Sequence, residues 1–228
     1  DLVKIFQDFR AIQKPSITHG VPDYSPKAMA HQKASLDNLQ AQLVLIDTAG
    51  WSVSDRVEYH LVKAEMHGLE FYHMVLKPWS RDPGFYLQTQ DGAGPTRAAY
   101  FYIDEFPIKD EELTEARIKL IALPEVLSQA KNNLTDGAGD LAYSALHYLH
   151  YEIILYERIY KKIKEHHPEL EPIAAKALGA VKGYDSWLKE NKSKMTAQAG
   201  VGKDNYNWWM KNVQLVPYTW DELYNTIM

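Results

Sequence analysis

The chain contains no cysteine. That excludes disulfides, thiolate metal ligands and cysteine nucleophiles, and it leaves the compartment open. Basic residues never form a long run, and the net charge is -5. The chain therefore lacks the basic footprint of a nucleic-acid-binding protein. No apolar stretch approaches the roughly 18 residues of a membrane span. Complete catalytic signatures are missing too. There is no Gly-x-Ser-x-Gly elbow and no His-Glu-x-x-His pair. Gly200-Val201-Gly202-Lys203 is not a phosphate loop, because that motif needs four residues between its glycines and a Ser or Thr after the Lys.

What is present is helix. Leu2, Ile5, Phe6, Phe9 and Ile12 share one face before Pro15. A loop follows to Ser25, which reads as an N-cap with Pro26 in the first turn. Met29, Leu36, Leu39, Leu43 and Ile46 mark the next helix, ending near Ala49-Gly50. Ser52 to Asp55 is a capping pattern that opens a long helix running to Pro78. Asp110 starts a helix to about Leu123, and Pro124 reads as the start of another, to about Asn133. From Asp140 to about His167, Leu141, Ala145, Tyr148, Leu155, Ile159 and Ile163 form an apolar stripe. A last long helix runs from about Leu170 to Lys189.

Prolines and glycines crowd residues 78–107, interleaved with Trp79, Phe85, Tyr86 and the run Ala99-Tyr100-Phe101-Tyr102-Ile103. The run fits a short strand, although both its faces are apolar. The simplest expectation for this loop is a surface excursion whose aromatics pack back on the helices. The predicted fold is all-α, a multi-helix array of long antiparallel helices with one long Pro/Gly-rich loop. Residues 1–199 form the expected helical domain, and 200–228 the start of a further helical segment that reads as cut short. In that segment Tyr206, Trp209, Met210 and Val213 share a face, and Thr219 with Glu222 is a capping box. The helix so announced is under three turns and needs partner surface to persist.

Histidines invite a metal reading, but the spacings argue against it. His147 and His150 share a helix side while Glu152 points elsewhere, and His67, Glu70 and His73 drift around their helix. Zinc wants three or four convergent ligands. His166-His167 suits a helix C-terminus. Asn133-Leu134-Thr135 and Asn191-Lys192-Ser193 fit the glycosylation sequon, a short pattern that also arises by chance.

Several segments carry a family likeness: Leu2 to Phe9, Gly20-Val21-Pro22-Asp23-Tyr24-Ser25-Pro26, Ile46-Asp47, Ser54 to Leu61, and Leu113 to Leu134. The most specific is Gly200 to Tyr206 followed by Tyr218-Thr219-Trp220-Asp221-Glu222-Leu223. In their order and spacing they resemble the N-terminal half of the bacterial family known as domain of unknown function 885. The resemblance implies a helical zinc metallopeptidase whose His-Glu-x-x-Pro-Gly-His type motif lies downstream. It carries no catalytic or metal residue onto these positions and no cofactor into this chain; zinc is expected in the full-length protein. This half would form one wall of a substrate cleft, with Tyr206, Trp209, Tyr100 and Tyr102 as its expected substrate-binding aromatics. The implied partners are the remaining C-terminal half or a companion chain, and a peptide substrate. A periplasmic, lipoprotein or secreted location goes with the family. The alternative is a non-catalytic helical binding or scaffold domain.

Overall fold

A computed structural model describes residues 1–87 and 105–227. Among the described residues the fold is all-α apart from one two-stranded hairpin. The chain divides into two compact units, and each is interrupted in sequence. The strand expected near 99–103 lies outside the described residues, as do Tyr100 and Tyr102.

The first unit comprises residues 1–15, 26–77 and 200–228. Its early helices are α1 (Leu2–Ile12), α2 (Pro26–Val44) and α3 (Val53–Phe71). Their apolar stripes meet in a core of Ile5, Phe9, Leu36, Leu39, Leu43, Val62 and Met66. Burying such side chains stabilises by about 1.5–3 kcal/mol each. Ser52 and Asp55 close the expected capping box on α3. Where α3 ends, Tyr72–Leu76 adds one π-helical turn, and Lys77, at φ 43°, terminates it before Pro78. His73 lies in this turn and is buried. Its Nε2 donates to Gln32 Oε1 at 2.8 Å, because the Gln32 amide nitrogen already donates to the Ile12 carbonyl at 2.6 Å. One buried chain of polar groups thus joins the end of α1, the middle of α2 and the π turn.

The same unit receives α8 (Lys203–Asn212) and α9 (Trp220–Ile227). The second capping box also forms. Thr219 N–H donates to Glu222 Oε2 at 2.7 Å, and Glu222 N–H donates to Thr219 Oγ1 at 3.3 Å. The Thr219 N–H, and then the Thr219 hydroxyl donating to the same Oε2 at 2.9 Å, hold the Glu222 carboxyl below its usual pKa.

The second unit comprises residues 16–25 and 78–199. It contains β1 (Ile17–Thr18), β2 (Val21–Pro22), α4 (Pro78–Arg81), α5 (Asp110–Asn133), α6 (Gly139–His166) and α7 (Glu171–Asn191). Helix α7 packs on both α5 and α6. The sequence suggested a break at Pro124, but α5 runs through it. Proline removes one backbone hydrogen bond at a cost of about 3 kcal/mol. Leu120, Leu123, Val126 and Leu127, all buried around that point, offset the cost.

The buried line of α6 also differs from the expected stripe. It reads Ala142, Ala145, Leu149, Glu152, Tyr156, Ile159 and Ile163, with a carboxylate at its centre. His147 and His150 are exposed, away from buried Glu152. Within the Pro/Gly-rich region, residues 78–87 fold inward. Phe85, Tyr86 and Leu87 are buried, so the described aromatics of this loop pack as expected. Tyr184, fully buried on α7, donates its hydroxyl proton to the Pro83 carbonyl at 2.9 Å. Asn133 is buried too, its amide donating to the Tyr24 carbonyl at 2.8 Å and to the Tyr86 hydroxyl at 3.1 Å. A sequon asparagine so engaged is closed to a glycan. His167, at the end of α6, accepts the Ile108 N–H on Nε2 at 2.8 Å.

Candidate functional site

Two surfaces collect side chains that could meet a ligand, one in each unit. The first is built on the hairpin of the second unit. His19 and Gly20 connect the strands and both have positive φ, 51° and 83°. A two-residue hairpin loop needs that pair of left-handed conformations so that its twist matches the strands. Gly20 also lies against α5. A Cβ there would stand 2.6 Å from Ile118 Cγ2 and 3.3 Å from Ala122 Cβ. We expect Gly20→Ala to cost about 1–3 kcal/mol through backbone strain and overpacking together, read as a lowered denaturation midpoint of the second unit.

Gln129 clamps the second strand to α5. Its side-chain oxygen accepts the Tyr24 N–H at 2.9 Å, and its amide donates to the Pro22 carbonyl at 3.2 Å. A shallow pocket of about 450 Å³ opens between hairpin and helix. Val21, Ile121 and Ala122 supply its apolar wall, while His19, Asp23 and Glu125 supply polar groups. Asp23 Oδ1 is partly committed, accepting the Ser25 N–H at 2.9 Å. Sequence reasoning missed these residues as a site. The available signals were the family-like stretch from Gly20 to Pro26 and the one-turn spacing of Glu125 and Gln129.

The second surface belongs to the first unit and carries two of the expected substrate-binding aromatics. Tyr206 and Trp209, one turn apart on α8, place their rings 6.0 Å apart and are half-buried. Trp208 leans the other way, stacked on Phe71 at 6.0 Å and tilted against His67 at 5.4 Å, yet 37% exposed. On α9, Trp220 and Tyr224 stack at 5.3 Å, and the Lys203 ammonium sits 5.2 Å over the Trp220 ring. Trp220, Leu223, Tyr224 and Ile227 follow the i, i+3, i+4, i+7 spacing of an apolar helix face. No residue of α8 or α9 is fully buried.

The residues do not assemble a zinc site. His67 Nδ1 donates to the Asn212 carbonyl at 3.2 Å, Glu70 accepts from the Gln40 amide at 3.0 Å, and His73 is held by Gln32. Each of the three thus faces its own partner. Among the described residues, no three His, Asp or Glu side chains could hold a metal ion together. Nor is any helix among them long and apolar enough to cross a membrane.

The all-α fold has a solved counterpart. The chain is similar to the structure of a candidate lipoprotein of unknown function from Shewanella oneidensis, at a TM-score of 0.71 and 14% identity. The match covers 99% of this chain and 44% of that one, so this chain spans less than half of that protein's length. Among curated proteins, none matches. A family model described as bacterial protein of unknown function, DUF885, matches residues 11–227. The chain belongs to that family.

Proposed function

We propose that this chain is the N-terminal, substrate-cleft portion of a zinc-dependent peptidase, with the catalytic motif outside these 228 residues. The observation that carries the reading is one of proportion. A family match spans almost the whole chain, while the same fold occupies 44% of a solved chain. The resemblance of Gly200–Tyr206 and Tyr218–Leu223 to the family's segments supports the zinc-peptidase class. In this reading Tyr206 and Trp209 contact the peptide, and Tyr100 and Tyr102, which lie outside the described residues, are further candidates for peptide contact. Zinc and its water-activating carboxylate belong to the downstream portion, so no chemical step is assigned to residues here. A periplasmic, lipoprotein or secreted location accompanies the reading, supported by the candidate-lipoprotein nature of the structural neighbour.

A second reading, a non-catalytic helical binding or scaffold domain, is favoured by the uncovered aromatic face of α9. Expression of the 228-residue chain and of the longer reading frame separates the two. The peptidase reading expects hydrolysis of a peptide library by the longer protein, abolished by a chelator and restored by zinc. The 228-residue chain alone should hydrolyse nothing. A longer protein that is inert towards peptides with zinc supplied would leave the binding-domain reading.

A further inference from the structure

We infer that the pocket between the hairpin and α5 binds the side chain of a lysine residue in a peptide. The assignment takes its ligand class from the peptide reading above, and its chemistry from the pocket. A lysine side chain is an aliphatic stem ending in an ammonium. It buries the stem on apolar surface and keeps the charged head among acceptors. Val21, Ile121 and Ala122 provide the apolar wall. Asp23 and Glu125 provide carboxylates at its polar side, and among the described residues no lysine or arginine lines the pocket. Neither carboxylate makes an ion pair with a described residue. With one oxygen of Asp23 spent on the Ser25 amide, its other oxygen and both of Glu125 remain to accept from an ammonium, which has three donors.

Two rigid supports keep this geometry without a ligand. Gly20 lets the hairpin approach α5 closely. Gln129 bridges to the second strand at two backbone positions. Preformed walls reduce the ordering cost of binding. Arginine fits less well, since its planar fork is suited to bidentate pairing with one carboxylate, and one oxygen of Asp23 is already engaged by the Ser25 amide.

The test uses the whole 228-residue chain, isotopically labelled, titrated with a capped tripeptide Ala-Lys-Ala and its norleucine counterpart. Norleucine keeps the stem and removes the charge. We expect saturable amide shifts at Val21, Ala122 and Glu125 with the lysine peptide, and binding at least about tenfold weaker with norleucine, equivalent to about 1.4 kcal/mol. Glu125→Gln changes an exposed helix residue and should weaken lysine-peptide binding while leaving the rest of the spectrum in place. Asp23→Asn combined with it should abolish binding. Equal affinity for norleucine, or unchanged affinity in Glu125→Gln, would overturn the inference, as would absence of saturable shifts. Putrescine binding as tightly as the peptide would replace the peptide lysine by a free amine and refute the stated source. Because the readout is binding to the isolated chain, failure here leaves the longer protein's hydrolysis to be judged separately.

Discussion

Acidification from pH 7 to pH 4 should weaken the first unit by about 3 kcal/mol through His73 alone. Burial, chiefly, and then the nearby Lys33 ammonium lower the His73 pKa to about 4 from 6.5, with Asp37 opposing. The unfolded chain takes up the proton as pH falls past about 6.5, and the folded chain declines it until about pH 4. Stability that is complete above pH 6.5 is therefore lost progressively between those values and changes no further below them. The physical cost is desolvation: a protonated ring must lose water inside the core, where the Lys33 ammonium also opposes its charge. His73→Gln retains a donor for Gln32 and removes the titration. Chemical denaturation followed by hydrogen exchange of first-unit amides, from pH 7.5 to 4, should show a slope for the parent that the variant lacks. Equal slopes would place the acid sensitivity elsewhere.

In the second unit the largest single loss should come from Asn133→Leu. Leucine preserves volume and removes both donors, so the Tyr24 carbonyl and the Tyr86 hydroxyl each lose a partner. Burial holds the Tyr24 and Tyr86 phenols well above their usual pKa, which marks how dry this cluster is. A buried polar group left unsatisfied costs about 1–3 kcal/mol. The Tyr24 carbonyl bears most of it, since the Tyr86 hydroxyl still donates to the Trp79 carbonyl at 2.6 Å. We expect a loss of about 2–4 kcal/mol, measured as a fall in denaturant midpoint at unchanged slope. Tyr86→Phe in the Asn133→Leu background should cost less than Tyr86→Phe alone, because the shared bond is already gone.

These sites show which signals a sequence exposes. Both capping boxes, Ser52/Asp55 and Thr219/Glu222, were readable because their partners lie three residues apart and act locally. The all-α class was readable from the same local periodicity. Pro124 was misleading, since its local penalty is offset by packing from helices distant in sequence. The expected stripe of α6 differs by one residue from the buried line at Leu141, Tyr148 and Leu155, because Tyr143, Leu146, Tyr148 and Tyr151 spread apolar character around the helix. Nothing local marks Glu152 as buried. The hairpin pocket was illegible for a related reason. Its walls come from residues 18–23 and 121–129, and Gln129 reaches Tyr24 across 105 residues of chain. His19 carries no hint that it will adopt a left-handed turn. Tyr206 and Trp209 were expected together from their one-turn spacing, and their rings do neighbour each other.

The interleaving of the two units bears on how the protein emerges from a ribosome. Residues 1–77 can assemble α1, α2 and α3 early, since those helices are close in sequence. The surface of α3 around His67 and Phe71 then waits for α8, whose Asn212 lies 145 residues beyond His67. The hairpin at 16–25 likewise leaves the tunnel long before the helix it leans on. Between those moments apolar surface is uncovered, and contacts so distant in sequence are slow to form. Translation through the stretch from about residue 78 to 212 is therefore the interval in which a chaperone that grips exposed apolar segments would matter most.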